Sequence, residues 1–166
     1  MLSGFFIPGL LSFLMAHLFY IALFKQGVAW FPSRTALLIT LLFGATMFAF
    51  LVASGLPAAL RLPVAAYVGV IALMAAQAIG RATVLRDKAS VAVAVGAAFF
   101  MASDSLLATN KFAFPIPMAQ LWVLGTYYTA QILIVRGGLQ GLGVSAAVLA
   151  PAEAAAPPTP TAPISA

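Results

Sequence analysis

Five stretches of about 20 residues run without a Lys or Arg, which is the length a helix needs to cross a hydrocarbon core roughly 30 Å thick. They are Phe5 to Phe24, Thr35 to Ser54, Leu62 to Gly80, Ala89 to Ala108 and Ile116 to Val135, and each is flanked by Lys or Arg. Lys25, Arg34, Arg61, Arg81, Arg86, Lys88 and Lys111 all fall in the gaps, while Arg136 closes the last stretch. A water-soluble bundle needs charged outer faces on its helices, and these stretches offer none. The chain is 64% hydrophobic and 7% charged, against about 45–50% and about 25% in soluble domains. The fold class predicted is therefore all-α, a polytopic transmembrane helix bundle with five spans, integral to the membrane and multi-pass.

The same placement excludes other classes. Basic residues scattered singly make no patch that could neutralise successive phosphates, so no nucleic-acid partner is expected. No cysteine is present, which excludes a disulfide framework and a Cys-based zinc site, and one histidine cannot make a His-rich one. Met1 to Gly4 lacks the basic region of a signal peptide, so the first stretch is expected to stay in the mature protein. Residues 1–136 form the predicted transmembrane domain. Residues 137–150 are apolar but short for a span, and carry Gly137, Gly138, Gly141 and Gly143; residues 151–166, rich in Pro and Ala, are expected to be a disordered tail.

Orientation follows from the basic residues. Lys25, Arg34, Arg81, Arg86, Lys88 and Arg136 fall on one side, Arg61 and Lys111 on the other. Cytoplasmic loops carry the excess, so the C-terminus is expected in the cytoplasm, with a plasma or inner membrane as the location in a bacterium.

Polar side chains at membrane depth are costly, and each calls for a partner or a task. His17 and Tyr20 share one face of the first span by their spacing. Tyr67 lies near the expected end of the third span, where an interfacial anchor is the simpler reading, and Gln77 reads as a hydrogen bond between helices. Asp104 is the sole acidic residue within any span, since Asp87 sits in a basic loop and Glu153 in the tail. Burial disfavours the charged carboxylate, so Asp104 is a candidate proton holder and general acid; hydration near the helix end, or a hydrogen bond to Ser or Asn, is the alternative. In the fifth span Gln131 shares a face with either Tyr127 or Tyr128, and with Thr126 and Thr129 they suggest a polar cavity. Met101 and the neighbouring Phe residues read as lipid-facing or packing.

The segments Leu10 to Tyr20 with Ala16-His17-x-x-Tyr20, Gly96 to Ala108 with Ser103-Asp104-Ser105, and Thr126 to Ile134 resemble, in order and spacing, the motifs of the YhhN-like lysoplasmalogenase family. The resemblance implies a membrane hydrolase acting on the vinyl-ether bond of lysoplasmalogens without a cofactor, releasing a fatty aldehyde and a glycerophospho-head group. It implies Asp104 as acid or base, with His17, Tyr20, Ser103, Tyr127, Tyr128 and Gln131 lining the substrate cavity and the basic loops holding the phosphate. Partners are then the lysophospholipid and the bilayer. Family members carry further helices before the Ala-His-x-x-Tyr segment, one ending in Gly-Asp; no Gly-Asp occurs here. A truncated, inactive member and a non-catalytic lipid-binding or transporter-like protein therefore remain open. Five helices alone would leave the cavity-lining faces uncovered, which predicts a homo-oligomer or instability. With the fourth span ending at Ala108, His17 and Asp104 are expected to differ in depth by about 12 Å.

Overall fold

The computed structural model describes residues 6–141. Within them lie α1 (Phe6–Phe24), α2 (Arg34–Ala53), α3 (Ala58–Leu85), α4 (Lys88–Phe112) and α5 (Ala119–Gly141). The described residues contain no strand. The helices α2, α3 and α4 are long and apolar enough to cross a membrane.

The starts of α2 and α4 are set by side-chain caps. Ser33 accepts from the Ala36 N–H at 3.2 Å, and Asp87 accepts from the Ser90 N–H at 2.8 Å, satisfying donors that have no partner inside the helix. Hydrogen bonds from the Ser90 N–H and then its hydroxyl hold the Asp87 carboxyl below the usual carboxylate range. A carboxyl lowered by folding stabilises above its unfolded value, and that contribution is lost as pH falls through the folded one. Asp87→Ala should therefore lower the thermal midpoint at neutral pH and lose its effect in acid, as thermal unfolding in detergent at the two pH values will report.

The third helix is the axis of the fold, packing against α1, α2 and α4, while α5 packs on α4. In lipid the hydrophobic effect drives helix association little, so close approach of small residues must hold the bundle. The buried face of α3 is accordingly built from Ala72, Ala75, Ala76 and Ala78 around Met74. It meets Ile21 and Phe24 of α1 and, through Val93, Ala97 and Phe100 of α4, Ala130 and Ile134 of α5. Leu51, Leu56 and Val64 form a second cluster between α2 and α3. Outward faces carry exposed Phe19, Leu38, Ile39, Leu62 and Trp122, a surface suited to acyl chains.

Gln77 is fully buried and fastens both the end of α1 and the α1–α2 connection to α3. Its Oε1 accepts from the Phe31 N–H at 2.7 Å, and its Nε2 donates to Ala29 O at 3.2 Å and Phe24 O at 3.4 Å. Phe31 has φ +45°, a conformation that costs a side-chain-bearing residue free energy and that this bond holds in place. Gln77→Leu leaves those backbone groups unpaired and should cost about 2 kcal/mol, read as a lower thermal midpoint with the helices retained.

The helix ends differ from the ends of the apolar stretches. The third helix begins at Ala58 rather than Leu62 and runs past Arg81 to Leu85; α4 passes Ala108 to Phe112. Lys and Arg can sit in a terminal turn and extend their charged heads to the interface, so a basic residue ends an apolar run without ending the helix. The fifth helix starts at Ala119, after Met118 at φ +54°, and continues through Gly137 and Gly138 to Gly141. The helix thus runs across the boundary drawn after Arg136, and a Cβ on Gly137 would lie 2.6 Å from Ala89 O of α4. The rest of the segment 137–150 and the tail 151–166 lie outside the described residues.

Candidate functional site

A cavity of about 370 Å³ occupies the half of the bundle where α1, α3 and α5 begin and α2 and α4 end. That volume falls within the usual range of small-molecule sites. Phe13, Phe43, Met47, Leu51, Ile71 and Leu107 give it an apolar wall, and Phe100 and Met101, expected from sequence to be lipid-facing or packing, also line it. Its polar groups are Tyr67, Ser103, Asp104, Ser105, Lys111 and Tyr127.

Asp104 lies two helical turns inside α4, because the helix continues to Phe112. Tyr67 donates its hydroxyl to Asp104 Oδ1 at 2.9 Å, across the α3–α4 contact. The other oxygen, Oδ2, carries no hydrogen bond among the described residues. Ser103 and Ser105 are committed elsewhere: Ser103 donates to Val123 O at 2.9 Å and Ser105 to Met101 O at 2.8 Å. Hydroxyls bonded to backbone carbonyls position helices and are poor nucleophiles, which leaves the carboxyl as the reactive group on the wall.

Tyr67 therefore differs from the interfacial anchor expected of it. The early start of α3 carries it inward, partly buried, and the Asp104 carboxylate gives its hydroxyl a partner. It also closes the depth gap expected between His17 and Asp104, since its ring lies 6.0 Å from that of His17. His17 is buried behind the cavity wall, against the rings of Phe100 at 4.6 Å and Phe13 at 6.2 Å. Its Nδ1 bonds to Phe13 O; a carbonyl only accepts, so the ring proton is assigned to Nδ1 and Nε2 is left as an acceptor. That Nε2 is buried with no hydrogen-bond partner among the described residues.

Tyr20 donates to Gln131 Oε1 at 3.2 Å, linking α1 to α5 beside the cavity rather than in its wall. Tyr127 faces the cavity, whereas Tyr128 is 58% exposed on the outer face of α5. Of the residues expected in the site, Asp104, Ser103 and Tyr127 thus share one wall, His17, Tyr20 and Gln131 stand behind or beside it, and Tyr128 points away. Tyr67 and Lys111 lie in the wall without having been assigned to it. For Lys111 the spacing of seven from Asp104 was the available signal, since it returns to the same helix face.

Exposed apolar helix faces around an apolar cavity, whose described lining carries one carboxyl, define a membrane protein of the helical class. Its relatives narrow this class. The YhhN family model matches residues 1–138, and the chain belongs to that family. It is 32% identical over 141 residues to Lysoplasmalogenase TMEM86A of Bos taurus and 33% over 141 residues to that of Homo sapiens, each alignment covering 83% of this chain and 57% of the relative. Identity to Lysoplasmalogenase TMEM86B of Homo sapiens is 32% over 135 residues, covering 81% of this chain and 54% of the relative. The chain thus spans little more than half the length of these relatives. No solved structure matches it.

Proposed function

We propose that the chain is a lysoplasmalogenase-type hydrolase of the membrane, cleaving the vinyl-ether bond of a lysoplasmalogen to a fatty aldehyde and a glycerophospho-head group. All five helices cross the bilayer in this reading, with the C-terminal end cytoplasmic. The observation that carries it is Asp104, held by Tyr67 on the wall of an apolar cavity; relatives named lysoplasmalogenases support the substrate class.

Vinyl-ether hydrolysis begins with a proton delivered to carbon. Because Tyr67 occupies Oδ1, the acid proton of a neutral Asp104 carboxyl sits on Oδ2. The alkenyl double bond takes that proton at its β-carbon and leaves an oxocarbenium ion, whose charge the ring faces of Phe100 and Tyr127 on the same wall stabilise. Water adds to the cationic carbon and returns a proton to the Asp104 carboxylate, which regenerates the acid. The resulting hemiacetal passes its hydroxyl proton to the carboxyl as the carboxyl protonates the departing glycerol oxygen, and the C–O bond breaks to aldehyde and alcohol. His17, tied to its own helix and enclosed by rings, positions Phe100 and Tyr67.

The test is aldehyde release by the purified chain from an alkenyl lysophospholipid, with the saturated 1-O-alkyl analogue as control. Release from the first and none from the second is expected. Binding or flux of both lipids without product would favour a lipid-binding or transporting protein instead.

A further inference from the structure

The family resemblance implies that the basic loops hold the phosphate, yet six of the eight basic residues lie at the end of the bundle away from the cavity. The half that holds the cavity has only Arg61 and Lys111. Arg61 turns its Nε to Leu56 O at 3.4 Å and stands outside the wall, whereas Lys111 is part of it. Lys111 is thus the one cation among the described residues that line the cavity.

Lys111 follows Asp104 by seven residues on a continuous helix, which returns it to the same face about 10 Å further along the axis. A glycerophospholipid ether has a matching internal length: seven bonds, roughly 9 Å when extended, separate the β-carbon of the alkenyl chain from phosphorus. A substrate with its alkenyl carbon at Asp104 therefore brings its phosphate to Lys111, while the acyl-like tail runs along Phe43, Met47 and Ile71 toward the middle of the bundle. Resting on the function proposed above, we propose that Lys111 is the head-group anchor, recognising the phosphate diester of a lysophospholipid and drawing it from the leaflet opposite the six-cation face. A purely structural role would have Lys111 complement the carbonyl end of α4 and the Phe112 ring, 5.8 Å from its Nζ.

The experiment measures binding of two non-hydrolysable probes to the full chain in nanodiscs, a 1-O-alkyl lysophosphatidylethanolamine and a 1-O-alkylglycerol that lacks phosphate. Lys111→Gln should weaken the phospholipid about five- to tenfold, as loss of one partly hydrated ion pair does, and leave the alkylglycerol unchanged. Lys111→Arg should restore most of the loss, and Arg61→Gln should change neither probe. Equal weakening of both probes, no weakening, or the same loss in Arg61→Gln would each overturn the anchor, as would displacement of the lipid by equimolar inorganic phosphate. Neither probe can be cleaved, so the anchor can stand even if no aldehyde is ever released. Aldehyde release with an unchanged KM in Lys111→Gln would refute it and leave the hydrolase standing.

Discussion

Asp104→Asn should reduce aldehyde release by a factor of about 10²–10⁴, the contribution typical of a positioned general acid. The amide is nearly the same size as the carboxyl and can still accept from Tyr67, so the cavity should keep its shape and the lipid should still bind. What is lost is the acidic proton on the second oxygen. The expected signature is a fall in kcat with little change in KM, which marks an interaction made in the transition state. Tyr67→Phe is the companion measurement. It removes the hydrogen bond that orients the carboxyl and leaves the acid itself, so a loss of about tenfold is expected, comparable to the net worth of one hydrogen bond. Full activity in Asp104→Asn would remove the carboxyl from the chemistry. Equal losses in the two variants would mean that orientation, and not proton delivery, is the role of the pair.

The existence of the helices was legible in the long apolar stretches free of Lys and Arg, because lipid tolerates no exposed backbone and an apolar stretch there must satisfy its own hydrogen bonds. Their ends were less so. Arg61 and Lys111 close their stretches in sequence, yet α3 begins before Arg61 and α4 continues past Lys111. That shift of about one turn decided how Tyr67 was read. Near an interface a tyrosine is an anchor; nine residues into α3 it is a partner for the carboxyl. Nothing local announces that pairing, since the two residues are 37 apart and meet only through helix packing.

Asp104 itself was legible for a simple reason: a lone carboxyl in an apolar span stands out against its surroundings. The tyrosines show the opposite case. Tyr127 and Tyr128 are adjacent, so their side chains diverge by about 100° around the helix, and spacing to Gln131 suits both. Which one turns inward depends on how α5 rolls against α4. The structure sets Tyr127 in the wall and Tyr128 outside, while Gln131 meets Tyr20 from α1 rather than either neighbour.

That roll is set by two glycines at the α4–α5 contact, where one added methyl has a large expected effect on stability. A Cβ built on Gly137 would lie 2.6 Å from Ala89 O and 2.7 Å from Val93 Cγ2, and one on Gly96 would lie 2.8 Å from Ile134 Cγ1 and 3.0 Å from Ala130 O. Backbone oxygens on the facing helix cannot yield as a flexible side chain can, so either alanine forces α4 and α5 apart. The strain is expected to cost about 3 kcal/mol, partly offset by about 1 kcal/mol of improved helix propensity, for a net loss near 2 kcal/mol. A Cβ added to Gly125, on the same α5, would meet nothing within 4 Å, so Gly125→Ala should keep only the favourable part and raise the thermal midpoint. One substitution type on one helix thus changes sign with the approach of α4, which thermal unfolding in detergent will resolve. The double variant Gly96→Ala, Gly137→Ala should lose less than the sum of the two, because the separation forced by the first Cβ already makes room for the second. Additive losses would mean that α4 yields locally at each site without moving as a unit. In that case the wall formed by Ser103 and Tyr127 should keep its shape, and lipid binding would survive in both single variants.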